Sequence, residues 1–591
     1  MILNYRNSIM KQLAVAFVAF FMCFATSFAQ LTIGGKRMAY DKLTNTYLLT
    51  VPRSAYGGSL TLPIAVDDTV NWAIIGTKQV KTSVEFPLVD GETSYPFYFS
   101  HNKTITTSAI RFTYHPVVCM TGDFNEEYSV GQVQITEPDS SQTLDLRARI
   151  KWAGGTTLYD WIEKHNYHIK FIDEYGEKMD MSFFGLRNDN HWRLDAGIVD
   201  MLRFRNKVAH GIWADFDSKP YYAESQPSAR NYARGEHVEM FLNGEYMGFF
   251  DMTEFLDRKQ MKLKKYVEED STFRGLMWKG KEVTRQTLFR KDSVVVDTVD
   301  RWCGFDIMYP DFDDVNPTNY SLLNNAINFV ATSDDSTFAE HVGEYFDLPV
   351  LADYYVFIQM LYAIDNSSKN IIWSCYNSAV DPKLTLSVWD LEATVGQHWY
   401  DGKGYYHARE IQPENELEKC RFTALGKSKL FMRLKKVPDF WQRVMDRYWE
   451  LRSTVLDPDS LIARYQNTYD VLQASGALER ERVRWTGSPD LANRELDFQG
   501  ELSYLCDWIK RRVDYLDNHT FAIVLPGDAD NDGAVTIKDV TVLIDYLLSG
   551  DGTEINMANA DLDGDDCITI MDVTLLIDLL LGGSTPDEGQ I

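Results

Sequence analysis

The sequence predicts an α+β protein with a β-rich N-terminal region, a mixed body and a small all-α module at the C-terminus. Residues 30–115 hold strand-like runs, such as Tyr47 to Val51, between turns rich in Gly, Asn and Asp. In residues 116–523, short strand patterns give way to long helical ones. Residues 526–583 repeat a pattern of a loop followed by a helix, and residues 584–591 form a short tail.

The body is expected to contain two clear strands and three helical segments. Asn243-Gly244 follows one of the strand runs and is typical of a hairpin turn. The first helical segment is apolar and rich in aromatic residues, which predicts a buried helix. The expected strands are 148–152 and 237–242, and the expected helices are 348–362, 429–455 and 502–515.

The N-terminus has the pattern of a secretory signal peptide over residues 1–29. Arg6 and Lys11 form a basic start, residues 13–25 form an apolar run, and Ala29 precedes the expected cut. The run is too short to span a bilayer, and no later stretch of the sequence predicts a transmembrane helix. The protein is therefore expected to be secreted, and to be extracellular or associated with the cell surface.

The charge of the chain is strongly and unevenly acidic. A formal net charge of −27 for 591 residues argues against nucleic-acid partners, which require a positive surface. Residues 526–591 carry 15 Asp and Glu against one Lys. About half of the excess thus lies in the last ninth of the chain, which indicates a local cause such as metal binding.

The repeated loops have the composition of calcium sites. Each places carboxylates at loop positions 1, 3, 5 and 12, where alternate side chains can surround a cation that requires six or more oxygens. Position 7 would contribute a backbone carbonyl and position 9 a hydroxyl group. Gly533 permits the sharp turn at position 6, whereas Asp566 at that position predicts a weaker second site. The first loop offers Asp528, Asp530, Asp532, Ala534, Thr536 and Asp539, and the second Asp561, Asp563, Asp565, Cys567, Thr569 and Asp572.

Two such loops, each followed by one helix, resemble a type I dockerin. The first loop directly follows Pro526-Gly527, so the helix that precedes an EF-hand loop is missing. The resemblance covers the whole C-terminal module and implies two bound Ca²⁺ ions and a cohesin domain as partner. It also implies that loop positions 10 and 11 contact the cohesin. These positions are Ile537, Lys538, Ile570 and Met571.

The body contains a spacing that phosphoryl transfer can use. Asp365 and Asn370 form a D-x-x-x-x-N pattern, and Asp390 follows at a predicted strand end. Kinases need one carboxylate at the acceptor hydroxyl, and an Asn and an Asp at the magnesium ion. Asp and Asn are also common in turns, so the spacing by itself leaves an ordinary loop open.

Several stretches of the body resemble the CotH family of atypical protein kinases. They are KHNYHIKF from Lys164, FFGLRNDNHWRLDA from Phe183, MLRFRNKVAHGIWADF from Met201, VEMFLNGEYMGFFDMTE from Val238, DNSSKN from Asp365 and WDLEATVG from Trp389. The resemblance implies metal binding by Asp390, action of Asp365 with Asn370 at the hydroxyl, and phosphate contact by Lys164. It further implies ATP with Mg²⁺ or Mn²⁺, and a protein substrate. Glu392, where the family has Asp, is a candidate second metal ligand.

Three functions remain open at this point. The first is a secreted protein kinase that docks onto a cohesin-bearing complex. The second is an inactive scaffold with the same fold, because Trp152 to Gly155 and Thr253-Glu254-Phe255 depart from the family pattern. The third is a subunit of a polysaccharide-degrading assembly, in which dockerins are common.

Overall fold

The structure is a computed structural model of the chain. It describes residues 31–66, 70–101, 104–159, 161–267, 272–290, 301–310, 320–398, 411–488, 495–523, 525–552, 555–565 and 567–582. The predicted signal peptide and the tail after residue 583 lie outside the described residues. Two compact units, Met1–Arg512 and Val513–Ile591, divide the chain. Within the described ranges, no helix is both long and apolar enough to cross a membrane.

The first unit begins with two β-sheets that share one apolar core, which confirms the β-rich N-terminal region. One sheet has the order β2-β1-β5-β8 and the other β3-β4-β10-β9-β6-β7. Ile33 and Phe86 from the first sheet pack with Leu49 and Phe97 from the second. The strands are β1 (Leu31–Ile33), β2 (Lys36–Arg37), β3 (Ala39–Asp41), β4 (Thr46–Thr50), β5 (Leu60–Val66), β6 (Val70–Ile75), β7 (Lys78–Val80), β8 (Ser83–Phe86), β9 (Tyr95–His101) and β10 (Thr104–Thr113).

A closed seven-stranded barrel follows. Its order is β11-β12-β13-β14-β15-β17-β16, and β16 pairs in parallel with β11 to close it. The predicted turn lies between β16 and β17, where Asn243 and Gly244 have φ of 51° and 77°, as a two-residue hairpin loop requires. The strands are β11 (Val117–Thr121), β12 (Ser129–Thr136), β13 (Thr143–Ala153), β14 (Asn166–Ile172), β15 (His191–Asp195), β16 (Gly235–Leu242) and β17 (Glu245–Glu254).

The rest of the first unit combines a five-stranded antiparallel sheet with helices. The sheet has the order β19-β20-β18-β21-β22 and consists of β18 (Leu276–Gly280), β19 (Arg301–Trp302), β20 (Phe305–Tyr309), β21 (Ile371–Cys375) and β22 (Thr385–Val388). The helices are α1 (Arg205–Asp215), α2 (Ser321–Thr332), α3 (Asp335–Tyr345), α4 (Leu348–Leu361), α5 (Lys429–Leu434), α6 (Pro438–Arg452), α7 (Pro458–Ala474), α8 (Ala477–Trp485) and α9 (Phe498–Tyr515).

Two of the predicted helices form as expected, and one is divided. The apolar segment predicted over 348–362 is α4, whose residues from Val350 to Leu361 are buried. The segment predicted over 429–455 is two helices, because Pro438 begins α6. Proline lacks an N–H group and is tolerated only in the first turn of a helix, so the chain breaks at Lys435 to Val437 and starts a new helix.

The second unit ends in the repeated module. Its helices are α10 (Ile537–Ser549), α11 (Met557–Ala560) and α12 (Ile570–Leu580). Thr536 and Thr569 cap α10 and α12, and Asp539 and Asp572 complete a capping box at each start. A small core joins the two halves through Ala529, Val540, Leu543, Ala560, Val573 and Leu576.

Candidate functional site

A cavity of about 460 Å³ lies between the barrel and the five-stranded sheet of the first unit. The barrel contributes the turn after β13, and His168 and Arg193 from β14 and β15. The sheet contributes Lys279 from β18, residues 306–308 from β20, and the loops after α4 and β22. The cavity therefore combines side chains that lie more than 200 residues apart in the chain.

The loop after α4 carries Asp365 and Asn370 in direct contact. Tyr362 ends α4 in the left-handed conformation, with a φ of 51°. The Oδ2 atom of Asp365 accepts hydrogen bonds from Lys369 Nζ at 2.7 Å and from Asn370 Nδ2 at 2.9 Å. Burial raises the pKa of Asp365, and the positive charge of Lys369 opposes that shift.

Asp390 follows β22 on a backbone that hydrogen bonds fix on both sides. Its φ of 56° lies in a region that residues other than glycine rarely adopt. Asn366 Nδ2 donates to the carbonyl oxygen of Trp389 at 2.8 Å, and the N–H of Leu391 donates to Asn206 Oδ1 at 2.9 Å. These two bonds orient the peptide groups before and after Asp390, and with them its side chain.

Carboxylates gather at this part of the cavity. Burial and the charges of Asp195 and Asp390 raise the pKa of Glu392 well above its usual value. The charge of Asp390 also contributes to the raised pKa of Asp365. A divalent cation relieves such repulsion, and Mg²⁺ and Mn²⁺ bind carboxylate and carbonyl oxygens. The residues present fit such a cation, with Asp390, Glu392 and Asn370 as candidate ligands.

Basic side chains line the same cavity, namely Lys151, Arg193, Lys279, Lys281 and Lys369. The Lys279 ammonium group lies 5.3 Å from the centroid of the Trp389 ring. Burial lowers the pKa of Lys279 to about 8, while the charge of Asp390 opposes the shift. In a chain with a net charge of −27, this local group of cations indicates an anionic ligand.

The turn after β13 brings backbone close to the cavity. Gly154 and Gly155 both line it, and Gly154 has a φ of 107°. Thr157 Oγ1 donates to the carbonyl oxygen of Ala153 at 2.5 Å and so holds the turn closed. A Cβ atom at Gly154 would lie 2.3 Å from Thr157 Oγ1, so this turn requires glycine at that position.

In the second unit, the first loop folds around carboxylates. One oxygen each from Asp528, Asp530 and Asp539 lie within 4.8 Å of one another. The two carboxylate oxygens of Asp528 accept hydrogen bonds from the N–H groups of Asp532 and Gly533, both at 3.0 Å. The loop thus already has the curvature that would direct these oxygens toward one cation.

The second loop also brings three carboxylates together, from positions 1, 3 and 5 where the first loop uses positions 1, 3 and 12. One oxygen each from Asp561, Asp563 and Asp565 lie within 4.8 Å of one another, and Asp572 accepts from the N–H of Leu562 at 2.8 Å. The predicted effect of Asp566 falls on a residue outside the described ranges. The two loops differ at position 11. Lys538 Nζ in the first loop lies 2.5 Å from Asp530 Oδ2 and 3.5 Å from Asp532 Oδ2, whereas Met571 stands at this position in the second.

The four positions predicted to contact a partner are exposed. The exposed fractions are 73% for Ile537, 70% for Ile570 and 53% for Met571, and 65% for the side chain of Lys538. Each half of the module thus presents an isoleucine at the start of its helix. The second residue of each pair is cationic in one half and apolar in the other.

Comparison with known families identifies both domains. The family model described as CotH kinase protein matches residues 153–516, which is more than half of the chain. The chain belongs to the CotH kinase family. A second model, the type I dockerin domain, matches residues 526–581. Both resemblances inferred from the sequence are confirmed.

Other comparisons add little. No curated protein matches the chain. Among solved structures, the titin Ig tandem domains A164-A165 are 9% identical, with 25% of this chain and 91% of that chain covered and a TM-score of 0.09. No structural relationship follows from a score of that size. The dockerin match is more informative: dockerins bind calcium, which fits the two acidic loops, and imply cohesin-bearing, extracellular assemblies.

The structure brings four of the five residues expected in the CotH active site to one cavity. They are Asp365, Asn370, Asp390 and Glu392. Lys164 is fully buried elsewhere, and its Nζ donates to the carbonyl oxygens of Ala196 and Phe249 and to Glu481 Oε1, at 2.9, 3.0 and 2.9 Å. Glu481 Oε1 also accepts from Arg203 Nε at 2.9 Å.

The expectation for Lys164 therefore needs correction. With its side chain completely shielded and its ammonium group committed to three acceptors, Lys164 does not reach a phosphate group in the cavity. It ties α8 to the barrel instead. Among the lysines that line the cavity, Lys279 interacts with the charge of Asp390, and the sequence did not indicate it as a site residue. The local feature of the sequence that could have indicated Lys279 is the pair of lysines in Trp278-Lys279-Gly280-Lys281, at a strand end.

Proposed function

We propose that the CotH domain is a protein kinase that transfers a phosphoryl group from ATP to a hydroxyl group of a protein, with Mg²⁺ or Mn²⁺. The observation that carries this proposal is the cavity, where Asp365 and Asp390 from two loops face Lys279, Lys281 and Lys369. Phosphoryl transfer requires these parts: a carboxylate at the acceptor, metal ligands, and cations at the phosphates.

The carboxylates of the cavity would have two different roles, metal binding and proton acceptance. Asp390, with Asn370 and Glu392, would hold the metal ion, which supplies positive charge to the phosphate oxygens. Asp365 would orient the acceptor hydroxyl and receive its proton. Because Asp365 Oδ2 already accepts from Lys369 and Asn370, Oδ1 is the oxygen we assign to the hydroxyl. The raised pKa of Asp365 favours proton acceptance near neutral pH.

The cations would hold the phosphates. As the hydroxyl oxygen bonds to the γ-phosphorus, the bond from that phosphorus to the leaving ADP oxygen breaks, and negative charge accumulates on ADP. Lys279 is our candidate for contact with this charge, because it lines the cavity next to Asp390 and is held over Trp389. Preorganised cations in a site that excludes water stabilise such charge effectively.

The dockerin would attach the kinase to a larger assembly. With two Ca²⁺ ions bound, the helix starts at Ile537 and Ile570 would contact a cohesin domain of an extracellular, polysaccharide-associated complex. The signal peptide predicted over residues 1–29 would direct the chain to secretion. The CotH domain would then act on proteins of that complex or of the cell surface.

An inactive scaffold is the second candidate, and one observation favours it. Where the family pattern T-E-K has lysine, this chain has Phe255, whose ring stacks on His191 at a centroid distance of 4.0 Å. Phe255 lines the cavity, so an aromatic ring replaces a cation there. A site without that cation would bind nucleotide less tightly, unless Lys279 and Lys281 compensate.

Calorimetric titration of the full chain with ATP separates the candidates. We expect binding that requires Mg²⁺ or Mn²⁺ and that Asp390→Asn weakens, followed by transfer of labelled phosphate to protein. Absence of nucleotide binding with and without metal would leave the scaffold. Cleavage of polysaccharide by a chain that does not bind ATP would instead place the protein among the degrading subunits of such assemblies.

A further inference from the structure

A row of basic side chains follows the outer face of the barrel and ends at the cavity. On β13, Arg147, Arg149 and Lys151 alternate with residues buried inside the barrel, such as Ala148 and Ile150. Side chains of a strand point alternately to its two faces, so these three share the outer face. Lys170 on β14 lies directly opposite Arg149. We call Arg147, Arg149, Lys151 and Lys170 the basic strip.

One pair of the strip places like charges opposite each other. Like charges directly opposite each other on antiparallel strands destabilise the pair, and Arg149 faces Lys170 in this way. The ring of Tyr128 attracts two of these cations, since the ammonium groups of Lys151 and Lys170 lie 4.9 and 4.6 Å from its centroid. Three cations are thus concentrated on a small area of sheet, which points to an anionic ligand.

The hydrogen bonds of the two arginines leave their charge available. Arg147 Nη1 donates to the carbonyl oxygen of Glu174, and Arg149 Nη2 donates to that of Gly176, both at 3.1 Å. These acceptors are backbone groups of the turn after β14, so they position the guanidinium groups without neutralising them. Asp145, on the same face of β13, forms an ion pair with Arg37. The other nearby carboxylates belong to Glu126, which lines the cavity, to Glu127, and to acidic residues of that same turn, Asp173, Glu174 and Glu177.

The strip is continuous with the cavity. Lys151 belongs to both, since it lines the cavity beside the glycine turn. The distance from Arg147 to Lys151 along β13 is four residues, or about 13 Å at the rise of a strand. An extended peptide that placed its hydroxyl group in the cavity could therefore lay roughly four further residues along the strip.

We propose that the basic strip binds an acidic segment of the protein substrate, with Asp and Glu on one side of the phosphorylated residue. This proposal rests on the kinase function proposed above and names its substrate class. A polypeptide is the ligand we favour because the strip leads to the carboxylate that would receive a hydroxyl proton. The net charge of −27 for the whole chain disfavours nucleic acid, which needs a more extended positive surface.

The test measures peptide binding in the absence of nucleotide, by fluorescence anisotropy with the full chain. The probes are a labelled peptide with one Ser followed by four Glu, and matched peptides with four Gln or four Lys. We expect only the acidic peptide to bind, with an affinity that falls as salt increases. Preference for the lysine peptide, or equal binding of all three, would overturn the proposal.

The variant Arg149→Glu separates binding from stability. It places unlike charges opposite each other at the pair with Lys170, so we expect an unchanged or higher melting temperature. The affinity for the acidic peptide should fall about three- to tenfold, as one attractive charge becomes repulsive. Arg443→Glu makes the same charge change at an exposed position of α6 and should leave peptide binding unchanged. An equal loss in both variants would mean that only the overall charge matters, against the proposal.

Two further experiments identify the class of ligand and distinguish failure of this proposal from failure of the proposed kinase function. If an acidic oligosaccharide of galacturonate units displaced the peptide at lower concentrations than the unlabelled peptide, the strip would be a polysaccharide surface, against the proposal. ATP binding by calorimetry should be the same for Arg149→Glu and the unmodified chain. Peptide binding by a chain that does not bind ATP would support the strip and refute the kinase function.

Discussion

Exchange of Lys279 for Met should weaken nucleotide binding and leave the fold intact. The same exchange at Lys164 should lower the stability of the fold and leave nucleotide binding unchanged. Lys279 lines the cavity beside Asp390, and burial already lowers its pKa to about 8, so its charge costs the fold free energy. Lys164 is completely buried against Glu481, so its removal leaves that carboxylate without one of its two cationic partners.

The expected magnitudes follow from these contacts. A hydrogen bond to a charged group contributes about 1.5–3 kcal/mol, so Lys279→Met should weaken ATP binding roughly 10- to 150-fold, at about 1.4 kcal/mol for each factor of ten. Loss of one partner from a buried ion pair costs about 3–5 kcal/mol of folding stability. Because Arg203 still donates to Glu481, Lys164→Met should fall at the lower end of that range.

Two measurements on the variants Lys279→Met and Lys164→Met test these two roles. Calorimetry with ATP and Mg²⁺ gives the affinity, and urea unfolding followed by tryptophan fluorescence gives the stability. The reasoning would be refuted if Lys164→Met lost nucleotide affinity while keeping its unfolding midpoint, or if Lys279→Met bound ATP as tightly as the unmodified chain.

Four further outcomes can be checked. Because Lys279 loses its proton as the pH rises through about 8, ATP affinity should fall as the pH rises above about 8, and Lys279→Arg should remove that fall, as calorimetry at several pH values would reveal. Asp390→Asn should weaken metal-dependent ATP binding, whereas Asp365→Asn should spare it and reduce transfer about 10²- to 10⁴-fold, in a labelled-phosphate assay. Chelator should reduce the helical circular dichroism of the isolated C-terminal module, because the carboxylates within each loop repel one another without a cation. Lys538→Met should raise the calcium affinity of the first loop a few-fold, because an ammonium group no longer competes at Asp530, and Met571→Lys should lower that of the second, both by calcium titration.

Local patterns in the sequence were sufficient to predict the calcium loops and the buried helix α4. The calcium loops lie within twelve consecutive residues each, so spacing alone determines which side chains share a loop. The helix α4 was predictable because an apolar segment of that length has few alternatives to a buried helix. The division at Pro438 also has a local signal, because a proline without an N–H group interrupts a helical pattern that continues on both sides.

The cations of the cavity could not be predicted from the sequence, because strand pairing between distant segments brings them there. Lys279 approaches Asp390 only because β18 pairs with β21, where it lies opposite Ile372. That pairing joins segments more than 90 residues apart, and nothing near Lys279 in the sequence specifies it. Lys164, by contrast, lies in a stretch that matches the family, and only its burial against Glu481 reveals that it supports the barrel.

The bond between Lys164 and Glu481 also has a consequence for the order in which the chain can fold. The last strand of the barrel ends at Glu254, yet α8, which carries the carboxylate between Lys164 and Arg203, follows more than 200 residues later. At about 5–20 residues per second, synthesis takes roughly 10 to 45 s to reach it. Throughout that interval Lys164, just before β14, and Arg203, after β15, lack the carboxylate that neutralises them in the complete structure. We therefore expect that the barrel does not close as an early, independent domain. A chain that ends before α8 should remain open to proteases even though every barrel strand is present.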